Sequence, residues 1–100
     1  MRFNVSITLI PDELGNCRYT YTIRAQIGNE KWQDLISESC ETWYIDGITA
    51  AENAIEDAEH FMAGFLRGFW LTDNPLDVIN KTIKIDGQLV VSDEFLVHLN

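Results

Sequence analysis

The sequence is poor in bases, cysteine, proline and histidine. Seven Lys and Arg stand against 16 Asp and Glu, a formal net charge of −9. So few bases offer little to nucleic acid or anionic lipid, and direct binding of either is not expected. Two cysteines, Cys17 and Cys40, are too few for a disulfide framework. They are expected as reduced thiols in a cytoplasmic protein. There is no CxxC, no HExxH and no His/Cys cluster with ligand spacing, so neither metal nor cofactor is expected. Glu56, Asp57 and His60 share a helical turn, but they read as a solvated surface before they read as a cation site. No GxSxG is present, and His60 and His98 sit in no nucleophile motif, so the chain is not expected to be an enzyme. A single glycine, Gly47, precedes the main helix, which excludes a phosphate cradle there.

Long apolar runs are missing as well. The stretch 61–71 is interrupted by Arg67 and falls far short of the ~20 residues of a membrane span. The opening MRFNVSITLI alternates like a strand and lacks the form of a signal peptide. With no repeats, low-complexity tracts or linkers, residues 1–100 read as a single domain, and a 46% hydrophobic content is enough for a core.

What is present is one strong helix signal, Thr49 to Leu71. Ala51, Ala54, Ile55, Ala58, Phe61, Met62, Phe65, Leu66 and Phe69 follow the helical period and form one apolar stripe. Glu52, Asn53, Glu56, Asp57, Glu59, His60 and Arg67 occupy the other face. Thr49 and Glu52 fit a capping box. Gly64 and Gly68 read as close-approach positions against a sheet, or Gly68 as an early end.

Strands flank this helix. Residues 2–10 alternate, with Phe3, Val5, Ile7 and Leu9 on one face. Residues 17–27 put Cys17, Tyr19, Tyr21, Ile23, Ala25 and Ile27 together. Gly28-Asn29 suggests a two-residue turn into a third strand from Glu30, with a bulge or break near 37–39. A short helix over 30–40 is the competing reading. The two-residue register would set Cys17 opposite Cys40 as neighbouring thiols. Pro75 suits the start of a short helix after Asn74, reaching Ile79. A hairpin over 81–91 turns at Asp86-Gly87, where a three-residue loop would pair Ile85 with Leu89 and Ile83 with Val91. Residues 94–99 are a last strand or a capped helix. The expected fold class is α+β: an antiparallel sheet, made of a three-strand meander plus a C-terminal hairpin, packed against one long α-helix. The strand order with Asp46-Gly47 and the capped helix over Thr49–Ala58 resembles small antitoxins of the HicB type, and no site residue is carried across from them.

The charge is concentrated. Residues 30–59 hold nine carboxylates against Lys31 alone, a net of −8. Surface acids keep any protein soluble, yet Glu52, Glu56 and Glu59 are helical neighbours that repel one another. The functional expectation is a small, acidic, non-enzymatic interaction protein. It would dock on a basic patch of a protein partner through Asp34, Glu38, Glu41, Asp46, Glu52, Glu56, Asp57 and Glu59. Such a surface can act as a nucleic-acid mimic, and the profile is similar to that of phage-encoded inhibitors of host defence nucleases. The alternative is a small-ligand module or enzyme, with a pocket between sheet and helix lined by Tyr19, Tyr21, Trp43 and Phe61. Open sheet edges make a homodimer a third expectation.

Overall fold

The computed structural model describes residues 1–70 and 77–97. Strand β1 (Arg2–Pro11) turns back into β2 (Cys17–Gln26), which turns back into β3 (Gln33–Ser39). Helix α1 (Gly47–Trp70) follows, then β4 (Asp77–Ile85) and β5 (Gln88–Val97). The five strands form one sheet in the order β3-β2-β1-β4-β5.

The architecture is α+β, but the sheet is mixed. β4 runs parallel to β1, with Val5 beside Ile83 and Ile7 beside Ile85. The expected antiparallel meander with a separate hairpin is therefore corrected. β3 and β1 point the same way, and α1 carries the chain back across the sheet, so β4 enters in the direction of β1 and pairs along its free edge. A parallel pair needs a long crossover of this kind, usually helical.

Alternation sets the two faces. Phe3, Val5, Ile7, Cys17, Tyr19, Ile23, Ala25, Ile79 and Ile83 are buried beneath the helix. From α1 come Ala50, Ala54, Ala58, Met62 and Leu66, one per turn. Three successive alanines keep that face of the helix low against β1 and β2, and the longer Met62 and Leu66 fill the space beyond them. Phe61 and Phe65 pack at the core margin, and Phe65 meets Phe3 edge-on at a centroid separation of 5.9 Å.

Several local expectations change. α1 starts at Gly47, not Thr49, because Asp46 is the cap: its Oδ1 accepts from the Thr49 backbone N–H at 2.7 Å. The cap expected at Thr49 therefore lies three residues earlier, at Asp46. Gly64 and Gly68 face open space, with no atom within 4 Å of a built Cβ, and the helix runs past both to Trp70. They neither admit a close neighbour nor end the helix.

Residues 33–39 are a strand, as favoured over a short helix. Gly28 and Asn29 do occupy a tight turn, where the Glu30 N–H donates to the Ile27 carbonyl. Pairing resumes only at Ala25 with Gln33, and the extra residue is Leu35, not one within 37–39. The Cys40 N–H donates to the Tyr19 carbonyl at 2.9 Å, while Cys17 pairs with Tyr44. Cys17 and Cys40 are therefore not opposite each other. Both are free thiols, since the longer loop and the bulge move the register.

At the second hairpin Asp86 and Gly87 both have positive φ, 49° and 83°, the mark of a two-residue type I′ turn. Ile85 faces Gln88 and Lys84 faces Leu89, contrary to the three-residue loop. An unpaired Val90 then shifts the register, so Ile83 still meets Val91. The apolar match is kept by a bulge instead of a longer turn. Asp77–Ile79 are strand where the end of a short helix was expected, and the tail to Val97 simply continues β5. The expected helix start at Asn74-Pro75 and the final His98–Asn100 lie outside the described residues.

Two stability outcomes follow from this packing. Gly64→Ala raises unfolding free energy by about 1 kcal/mol, because the open site admits the methyl group and the unfolded chain loses freedom. Ile83→Ala, at the fully buried β1–β4 junction, lowers it by about 2–5 kcal/mol. Urea unfolding followed by far-UV circular dichroism measures both. An unchanged or lowered midpoint for Gly64→Ala would contradict the open-space reading.

Candidate interaction site

The carboxylates expected at the site do not fall on one surface. Glu52 and Glu56 are exposed on the side of α1 turned away from the sheet. Asp57 lies on the flank toward β2, and Glu59 on the flank toward β4. There Glu59 lies 3.6 Å from Lys81, which is also 3.6 Å from Asp93. Glu38 sits opposite Tyr21, on the helix side of β3. Asp34 is on the far face of the sheet, paired with the Arg24 guanidinium at 2.9 Å. Glu41 is exposed in the connector after β3, and Asp46 is occupied in capping α1.

Four of the eight thus share the helix side without a base. Among the described residues Glu38, Glu52, Glu56 and Asp57 have no Lys or Arg within ion-pair distance. Glu38 and Asp57, from different elements, meet at one cavity. They wall this shallow space of about 160 Å³ with Tyr19, Tyr21, Ser39 and Cys40.

Tyr19 is the hub of this corner. Its ring is buried and stacks near-parallel on Tyr44 at 6.1 Å, with Tyr21 at 6.2 Å on the same strand. Its hydroxyl donates to Asp57 Oδ2, tying β2 to α1. Burial, and then the hydrogen bond to Asp57, push the Tyr19 phenol far above its ordinary value. Tyr21 is raised too, by burial and then by the charges of Asp57 and Glu38. Both phenols therefore remain neutral donors at any physiological pH. The half-buried Tyr21 ring beside two carboxylates makes a surface suited to an ammonium or guanidinium group.

The pocket expected from Tyr19, Tyr21, Trp43 and Phe61 is only half assembled. Tyr19 and Tyr21 line the cavity, whereas Trp43 is exposed and lies 5.4 Å from the Arg18 guanidinium. Phe61 packs against the core. A second cavity of about 270 Å³ opens beside the later turns of α1, with Phe3, Met62, Leu66 and Ile79 in its apolar wall. Among the described residues no group of three His, Cys, Asp or Glu is gathered closely enough to hold a metal ion. No helix among them is long and apolar enough to cross a membrane.

The role of Cys40 in this wall was missed from sequence, as was the pairing of Tyr19 with Asp57. Both depend on the register of β3 and the height of α1 over β2. Compared with known proteins, the chain matches no family model, no curated protein and no solved structure.

Two pH dependences follow. The Asp46 carboxyl is held below its ordinary value, first by the Thr49 backbone N–H and then by the Thr49 side chain. A depressed carboxyl stabilises the fold above its unfolded value, near pH 4, and that contribution disappears as pH falls through the lower folded value. Asp46→Ala therefore melts below wild type at pH 7, and the gap closes toward pH 2–3. The raised Tyr19 phenol acts in the opposite sense. Its contribution is complete below about pH 10 and is lost as pH rises beyond that. Tyr19→Phe flattens the alkaline loss of stability. Thermal melts across pH measure both effects, and parallel profiles for wild type and variant would refute the corresponding assignment.

Proposed function

We propose that this chain is a non-enzymatic interaction protein whose acidic helix side docks on a basic surface of a protein partner. The carrying observation is the meeting of Glu38 and Asp57 beside Tyr19 and Tyr21, next to the outward Glu52 and Glu56, with no base of the described chain neutralising any of them. Carboxylates 19 positions apart in sequence are brought to one cavity that a lysine or arginine side chain fits in charge and in aromatic contact. The flanking ridge extends the negative field along the helix and steers a basic partner toward it.

A surface of this kind competes with phosphate backbones for basic sites. The proposed role is inhibition by occupying the nucleic-acid site of a partner, in the manner of a phage anti-defence protein. The docking surface is Glu38, Glu52, Glu56 and Asp57. Glu41 and Glu59 extend it at the margins, and Asp34 and Asp46 are committed to other partners within the chain.

Affinity capture with the full chain as bait, washed at two salt concentrations, identifies the partner. Binding then weakens as salt rises. The combined reversal Glu52→Lys, Glu56→Lys and Asp57→Lys lowers affinity by ~10-fold or more, mainly through slower association. Asp34→Lys, on the far face, leaves binding unchanged. Affinity that is flat with salt, or intact in the triple variant, would defeat the proposal.

A further inference from the structure

The sheet face away from α1 carries a different chemistry. Its β1 and β2 positions are Arg2, Asn4, Ser6 and Thr8 beside Arg18, Thr20, Thr22 and Arg24. β4 adds Asn80, Thr82 and Lys84 at the register positions of Arg2, Asn4 and Ser6. Among the described residues two of the seven bases, Arg24 and Lys81, form ion pairs. Arg24 is paired with Asp34, Lys81 with Glu59 and Asp93, and Arg18 lies over Trp43. Arg2 and Lys84 have no carboxylate within ion-pair distance among the described residues.

Both of these bases line the same cavity, of about 170 Å³, together with Asn4, Asn80, Thr82 and the half-exposed indole of Trp32. The Asn4 Oδ1 is buried without a hydrogen-bond partner, so this amide is not committed to the fold. A half-turn of its side chain presents the NH₂ group instead. Glu94 holds the register position across from Asn80, at the margin of this face.

We propose that this cavity binds a nucleoside monophosphate, with the phosphate between Arg2 and Lys84 and the base stacked on Trp32. Two cationic side chains supply the charge, and Asn4, Asn80 and Thr82 supply neutral hydrogen bonds to the phosphate oxygens. The volume decides how much is enclosed. Pockets that surround a drug-sized ligand run to ~300–1,000 Å³, so this one seats a phosphate and leaves the ring at the open mouth. There the indole offers a stacking plane that tolerates any base. The site is on the opposite side of the sheet from the acidic helix and does not depend on the docking proposal.

Adenosine 5′-monophosphate, adenosine and inorganic phosphate are titrated separately into the full ¹⁵N-labelled chain. Saturable shifts of the Asn4, Thr82 and Lys84 amides with the monophosphate, weaker with phosphate alone and weakest with adenosine, support the site. Lys84→Gln, an exposed substitution, lowers the monophosphate affinity by ~10-fold, the loss of one charge-assisted contact. Trp32→Leu brings the monophosphate down to the level of inorganic phosphate. No shift at these amides at millimolar monophosphate, or equal affinity in wild type and Lys84→Gln, overturns the site. Equal affinity for monophosphate and inorganic phosphate overturns the stacking role of Trp32. Neither result touches docking through the helix face, which the triple reversal on α1 tests.

Discussion

One helix has to cover the apolar face of five strands. Everything else in the structure follows from that constraint. Buried strand residues need a partner that excludes water, and α1 is the only element available among the described residues. It meets the demand with the stripe Ala50, Ala54, Ala58, Met62 and Leu66 laid over β1 and β2. The strands at the rim, β3 and β5, receive less cover. The connections around β3 accordingly expose Trp32 and Trp43, and β5 exposes Leu89 and Val90.

The same constraint sorts the charges. A helix with its apolar side down presents Glu52 and Glu56 upward, while Asp57 and Glu59 go to its two flanks. A sheet with one face covered leaves the other to polar side chains, and there Thr, Ser and Asn alternate with Arg2, Arg18, Arg24 and Lys84. The chain is strongly acidic as a whole, yet four of its seven bases stand on this one face. Net charge describes the solubility of such a protein and conceals its two unlike sides.

Tyr19 shows how one residue serves both packing and surface. Its ring belongs to the core, and its hydroxyl emerges at the β2–α1 seam to meet Asp57. The hydrogen bond fixes the carboxylate beside Tyr21 and Glu38 and so gives the acidic side a shaped corner instead of a diffuse field. Bulges act similarly at the edges. The unpaired Leu35 and Val90 bend strands that would otherwise present flat ladders to other chains, and β3 adds exposed acids along its free edge.

Much of the fold was legible in residue order. The odd positions of β1 and β2, the α1 stripe and the location of the turn at Asp86-Gly87, though not its two-residue length, follow from periods of 2 and 3.6 and from which residues make turns. The parallel seating of β4 against β1 was decided only in three dimensions, because it depends on where the crossover returns the chain and not on any local pattern. The same holds for the separation of Cys17 from Cys40, the isolation of Asp34 from the helix acids and the gathering of Arg2 with Lys84. Local periodicity sets which face a side chain takes, whereas its neighbours on that face are set by register and strand order, which only long-range packing determines.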